Sequence, residues 1–283
     1  MNITVGTRIN CILHWAGRGI IYAIHGAQSP DTVRNFGGIV SSGGRAAFDV
    51  VFDNGCISAK VPESVIRGVQ WSILPAIATA DEIAAALAYA ARIKAEREEA
   101  AQQEAQRFAA AVERLREDAA YKSLSQGDDR YSGKLAARNI RVELRHVFPK
   151  TRFSVRKEVH GRVHISWTDG PTETSVEAIT GKYQGGQFNA MDDIYENVAS
   201  PWTFVFGGSD YVFTHRTHSD AHMARAIDAL FATHGGLDGI ERPTPETAFG
   251  RYVPVPGEQW DLAVLIRMKA AEIEGAPLDQ GER

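Results

Sequence analysis

A chain of 283 residues that is 44% apolar and 23% charged, with a net charge of −4, has the composition of a folded globular protein. That composition excludes disordered and collagen-like classes. No apolar run approaches the roughly 18 residues that span a bilayer, and no charged-then-apolar leader opens the chain, so neither membrane insertion nor secretion is expected. The expected compartment is the bacterial-type cytoplasm, or a recipient cell's cytoplasm if the protein is delivered, and Cys11 and Cys56 read as two buried thiols, not as a disulfide or a metal pair.

Residues 1–78 read as short strands punctuated by glycine. Ile9, Cys11 and Leu13 alternate, and Gly19 to Ile24 and Ala46 to Phe52 are apolar runs. The Asp53-Asn54-Gly55 triplet is a tight-turn signal. Ile57 to Val61, a helical turn at Pro62 to Ile66, and Val69 to Ile73 follow. Five short strands in so few residues predict a small SH3-like β-barrel. The loop from Gln28 to Gly44, with Arg34 and Asn35, is long for such a unit.

Residues 79–133 are predicted to be a long helix and a linker. Thr79 and Glu82 form a capping box, and Ile83, Leu87 and Ile93 make a thin apolar stripe. Lys94 to Arg107 is built from Ala, Glu, Gln, Lys and Arg alone, which are strong helix formers. A stripe resumes at Phe108, Val112 and Leu115. The element is a solvated connector, roughly 60 Å long at 1.5 Å per residue, one strand of a homodimeric coiled coil, or a kinked or hairpin version of the helix. Ser123 to Gly133 reads as a turn-rich linker.

Residues 134–237 read as an α+β domain with an antiparallel sheet. A helix opens at Lys134, with Ala136, Ile140, Leu144, Val147 and Phe148 on its core face and Pro149 as its stop. Lys134, Arg138, Arg141 and Arg145 fall along one side of it. Arg152, Ser154 and Arg156 alternate with Phe153 and Val155, and Val163, Ile165 and Trp167 form a second strand. From Lys134 to His164 there are nine Lys and Arg against two acids, a local +7 in a chain of −4. A helix with Val176, Ile179 and Tyr183 inward follows from about Thr172. Trp202 to Phe206 and Tyr211 to His215 are expected to pair as a hairpin across Gly207-Gly208-Ser209. A further helix, capped at Ser219 or Asp220, buries Met223, Ile227, Leu230 and Phe231. Residues 238–283 read as a Pro-rich extended segment and a helix from about Glu258 to Glu274 around Trp260, Val264 and Met268.

The run from Ala137 to Glu196 carries a resemblance. Its Ile140…Leu144…Phe148-Pro149 helix end, Phe153-Ser154-Val155-Arg156, and Ile165-Ser166-Trp167-Thr168-Asp169-Gly170-Pro171-Thr172 resemble the large polyvalent protein-associated domains, type twenty-nine. Tyr183-Gln184-Gly185-Gly186-Gln187-Phe188 and Met191-Asp192-Asp193…Tyr195 extend the likeness, which covers about a fifth of the chain. Ala23-Ile24-His25-Gly26 and Val69-Gln70-Trp71-Ser72-Ile73 are similar to a module that accompanies this domain in proteins of proteobacterial plasmids. The resemblance implies a phage or conjugative-element protein, in the company of proteins that counter host defences. It supplies no catalytic residue.

The chemistry-bearing residues point to binding and not to a reaction. Lys134, Arg138, Arg141, Arg145, Lys150, Arg152 and Arg156 are the candidate nucleic-acid-binding residues, with DNA ahead of RNA. Two other readings stay open: an acidic host protein as partner, or a solvated face offset by Asp192, Asp193 and Glu196. His215, His218 and His222, near Asp210 and Asp220 and with His234 further on, have metal-ligating side chains but no shared helix face, so no metal is expected. Asp169, in an Asp-Gly-Pro turn, is expected to accept backbone N–H bonds and start the next helix. Trp167 reads as core ahead of a base-stacking platform. No phosphate loop or nucleophile elbow occurs, so no catalytic residue, cofactor or membrane partner is expected. The reading is a non-catalytic accessory or anti-defence protein of a mobile element; the alternative is a module that binds and inhibits a host defence or replication protein.

Overall fold

The computed structural model describes residues 2–13, 15–36, 40–159, 161–189, 194–197 and 199–275, with the backbone alone at 40, 186–189 and 194–197. It is an α+β fold in two compact units, 1–106 and 107–283, whose boundary falls within one long helix.

The first unit is a five-stranded antiparallel sheet. Strands β1 (Thr7–Cys11) and β2 (Gly17–His25) pair, a small hairpin of β3 (Arg34–Phe36) and β4 (Val40–Ser42) sits in the long loop, and β5 (Ala47–Phe52) and β6 (Ile57–Pro62) follow. A helical turn, α1 (Glu63–Ile66), leads to β7 (Trp71–Ile77), which returns against β1. The order is β6-β5-β2-β1-β7; the edge strands do not pair with each other, and no closed barrel is found. Gly55 makes the β5–β6 turn at φ +81°, a left-handed conformation that glycine adopts without strain. Ile9, Ile21, Phe48, Val50, Phe52 and Ile66 fill one face. Ile20 and Val51 lie on the other, against Ala90, Ile83 and Leu87 of α2 (Ala80–Glu117). Buried Glu63 accepts N–H bonds from Ser29, Arg45 and Ala46 and pairs with Arg67, which ties down both ends of the Gln28–Gly44 loop. Cys11 and Cys56 are free thiols, the first buried and the second partly so.

Helix α2 runs 38 residues, capped by Thr79 and Glu82 as the capping box requires. Every residue from 94 to 107 is exposed, in keeping with the absence of large apolar side chains there. Among the described residues no helix is long and apolar enough to cross a membrane.

In the second unit, α3 (Lys134–Val147), β8 (Ser154–Lys157), β9 (Arg162–Thr168) and α4 (Glu173–Thr180) follow one another. Next come a β10 (Gly186–Asn189)/β11 (Ile194–Asn197) hairpin, α5 (Pro201–Phe206), β12 (Tyr211–Thr217), α6 (Asp220–Thr233) and α7 (Leu262–Glu272). The core joins Ala136, Ile140 and Leu144 of α3 to Val163, Ile165 and Trp167 of β9, Val176 of α4, and Val205 and Phe206 of α5. Each large side chain fully buried here contributes roughly 1.5–3 kcal/mol. A second cluster sets Met223, Ile227 and Leu230 of α6 on Leu262, Leu265 and Ile266 of α7.

Four expectations change. Residues 202–206 are helix α5, not a hairpin strand, because Ser200 and Thr203 form a capping box and Pro201 opens the helix. Their i, i+3, i+4 spacing buries Trp202, Val205 and Phe206, with Phe204 set against Phe108. Strand β12 therefore has no hairpin partner and instead runs parallel to β9, the one parallel pairing among the described strands, in a β12-β9-β8 sheet. Residues 123–133 are an integral part of the unit. Asn139, fully buried in α3, bonds Ser125 through its N–H and carbonyl and also reaches the Phe206 carbonyl. Asp129 accepts from Ser132 and from the Leu135 N–H; burial works against its charge, yet these bonds hold it below the usual carboxylate range. At the far end, Trp260 and Met268 are exposed, because α7 starts only at its Asp261 cap and so turns Leu262, Leu265 and Ile266 inward. In α3, Val147 is half exposed, because the helix ends there and Phe148 alone turns back onto the core.

Candidate functional site

All seven predicted cations, Lys134, Arg138, Arg141, Arg145, Lys150, Arg152 and Arg156, are exposed, and none has an ion-pair partner among the described residues. The buried face of α3 explains why. Ala136, Ala137, Asn139, Ile140 and Leu144 turn inward, so the residues between them must turn outward. The chain then breaks at Phe148-Pro149, since a residue before proline avoids helical geometry. It passes through 149–153 and re-enters the sheet as β8.

That break leaves a concavity of about 420 Å³. Its walls are Arg141, Arg145, Lys150 and Arg152, with Leu144 and Phe153 as its floor. Arg141 also donates to the Val155 carbonyl on the outer edge of β8, which holds its guanidinium at the rim. Four of the seven cations thus converge on one hollow. Lys134 and Arg138 continue the charge toward the start of α3, and Arg156 carries it onto β8.

The two acids within the basic stretch do not neutralise it. Glu143 points to the other side of α3, where it accepts from Lys182 Nζ and Tyr183 Oη, each at 2.6 Å. Burial, followed by the hydrogen bond to Glu143, pushes the Tyr183 hydroxyl far above its ordinary range, so it stays a donor. Lys182 in turn lies over the Trp202 ring at 3.9 Å. Glu158 lies 3.9 Å from His164. Asp192 and Asp193, weighed as offsetting charges, lie outside the described residues; Glu196 is described in its backbone only.

The other candidates are structural. Asp169 is buried with φ +54° and accepts from the Ser219 N–H at 2.8 Å and its hydroxyl at 2.6 Å. It thereby anchors the cap of α6; the following helix, α4, is capped by Thr172 instead. The expected role as a helix-starting acceptor is right in kind and wrong in helix, because Asp169 meets Ser219 only through the β9–β12 pairing. Trp167 is buried and donates to the Pro171 carbonyl at 3.0 Å, so it is core. His218 and His222 stack in parallel at 4.9 Å, and His215 is exposed on β12. Among the described residues no three His, Cys, Asp or Glu side chains converge as a metal site would require. Asp220 opens α6, and His234 pairs with Glu258 at 3.0 Å.

Sequence reasoning did not single out Arg216. It is buried on β12 and donates to the carbonyls of Asp169, Gly170, Ala270, Ala271 and Ile273, binding α7 to the sheet. Its only sequence signal is position: as the inward residue of an alternating strand, it stands where an apolar side chain belongs.

The second unit is thus an α+β module that presents a cationic hollow on a core-anchored helix. Residues 131–219 match the family model Large polyvalent protein associated domain 29, and residues 1–118 match Large polyvalent protein associated domain 30. The chain thus carries two large polyvalent protein associated domains of different types in succession. The second match is wider than the resemblance read at 137–196, taking in the 131–133 turn, α5 and β12. No curated protein and no solved structure matches the chain significantly.

Proposed function

We propose that this protein is a non-catalytic accessory protein of a plasmid or phage. In this reading it acts in the host cytoplasm in an anti-defence role and binds nucleic acid, DNA ahead of RNA, through Lys134, Arg138, Arg141, Arg145, Lys150, Arg152 and Arg156. The carrying observation is that seven exposed cations, unpaired among the described residues, include four that line a single hollow. Helix electrostatics alone would account for part of this. Arg145 and Lys150, beside the C-terminus of α3, complement the helix dipole by about 0.3–1 kcal/mol each at most. Lys134 at the first turn opposes that dipole, and no acid shares the turn. A run of cations kept where folding gains little suits phosphates. The absence of a base-reading helix favours recognition of backbone and shape over sequence. For the first unit, the meander β1-β2-β5-β6 followed by a helical turn and a return of β7 to β1 supports the SH3-like reading.

The test is fluorescence anisotropy of full-length protein with labelled single- and double-stranded DNA and RNA at low and moderate salt. Salt-sensitive binding is expected; no binding to any probe at low salt refutes the proposal. A second reading, a module that docks on a host defence or replication protein, draws on the Gln28–Gly44 loop. There Phe36 is 60% exposed on the β3–β4 hairpin beside exposed Arg34 and Asn35. It predicts a stoichiometric complex with a host protein that Phe36→Ser abolishes.

A further inference from the structure

Among the described residues the β12-β9-β8 sheet has one covered and one open face. Val155, Val163, Ile165 and Trp167 turn toward α3, α4 and α5, and Thr214 on β12 bonds Glu177 of α4 at 2.9 Å. The opposite residues form ordered rows across the three strands. Arg156, His164 and Phe213 are register partners in one row; Ser154, Ser166 and His215 make the next. On the far side of the first row Tyr211 pairs with Arg162. Phe213 is 46% exposed at the centre of its strand, and its ring lies nearly parallel to that of Tyr211, 12° between planes and 5.8 Å between centres. His164 lies 6.5 Å from Phe213 on the other side. Arg156, Arg162 and His215 are exposed around these rings, and two carboxylates are near, Glu158 beside His164 and Asp210 beside Gly161.

Adjacent aromatic rings on an open sheet face, flanked by arginines, match the chemistry of unpaired bases. A base offers a π-face to stack and a phosphate to neutralise, and stacking on protein aromatics is largely indifferent to sequence. In a duplex those π-faces are already stacked, so the rings have nothing to meet. Arg152 in the wall of the hollow stands four residues before Arg156 in the rows, so the chain leads directly from one to the other.

We propose that this sheet face is a stacking platform for single-stranded nucleic acid, with a base on Phe213 and phosphates on Arg156 and Arg162. The inference rests on the nucleic-acid reading above and names its substrate as a single strand.

The experiment measures anisotropy of full-length wild type, Phe213→Leu, Phe213→Tyr and R138Q/R141Q/R145Q with a labelled strand of about 15 nucleotides and with its duplex. Phe213 is half exposed, so Leu keeps apolar bulk and folding while removing the ring. Phe213→Leu is expected to weaken single-strand binding about ten-fold, as loss of one stacked base does, and to leave duplex binding unchanged. Phe213→Tyr is expected to retain wild-type affinity. If wild type binds and the triple variant is weakened on both probes while Phe213→Leu matches wild type on the single strand, the platform is overturned and the cationic site stands. If wild type binds neither probe, both readings fall.

Discussion

Replacing Arg138, Arg141 and Arg145 with glutamine removes three of the seven cations, two of them (Arg141 and Arg145) from the wall of the hollow, and leaves Lys134, Lys150, Arg152 and Arg156. Each phosphate neutralised on duplex DNA adds about 0.9 to the slope of log K against log salt. Seven contacts therefore predict a slope of about −6, and four contacts about −4. Between about 50 and 200 mM salt the wild type should lose about 10⁴-fold in affinity and the variant about 10²-fold, so the two curves converge as salt rises. All three side chains are exposed, and among the described residues only Arg141 makes a further bond, to the Val155 carbonyl, which limits the stability cost to about 1 kcal/mol. Anisotropy titrations with duplex DNA over that salt range, alongside urea unfolding of both proteins, measure slope and fold together. A triple variant that is folded and keeps the wild-type slope would refute the assignment of these residues to the interface.

Arg216→Met should destabilise the second unit by about 3–5 kcal/mol in urea unfolding, since it leaves five carbonyls without their buried donor. Burial lowers the Arg216 pKa, but the group remains a cation, so this loss should not vary between pH 6 and 8. Asn139→Leu should cost about 2–3 kcal/mol by the same measurement, because Ser125 and the Phe206 carbonyl lose their partner. Burial, followed by Arg216 and His222, pushes His218 down from 6.5 to about 4. Between those values the unfolded chain binds the proton and the folded one does not. Stability should therefore be full above about 6.5 and decline as pH falls toward about 4. His218→Phe should flatten that decline in unfolding curves taken across the window; an unchanged profile would remove His218 as its source.

Much of the fold was legible because it rests on local rules. Thr79 and Glu82 start α2, Ile140 and Leu144 give α3 its inner face, and Asp53-Asn54-Gly55 turns β5 into β6. The outward set at Lys134, Arg138, Arg141 and Arg145 follows from the same period, so the cationic face was readable as soon as the core face was. The hollow was not. It exists because the 149–153 turn folds Lys150 and Arg152 back beside Arg141 and Arg145, a meeting that depends on where β8 enters the sheet.

By itself, the order of residue types determined most of the helices and strands, α5 excepted, and where the chain concentrates positive charge, since each of these depends on neighbours within a turn or a pleat. Only the tertiary structure decided which groups meet across long separations. Pairing β12 parallel to β9 turned Asp169 toward Ser219 and Arg216 toward the end of α7. It also set Phe213 beside His164 on the open face while Trp167 went into the core. The physical reason is that periodicity assigns a side chain to a face, whereas sheet order decides whether that face meets protein or solvent.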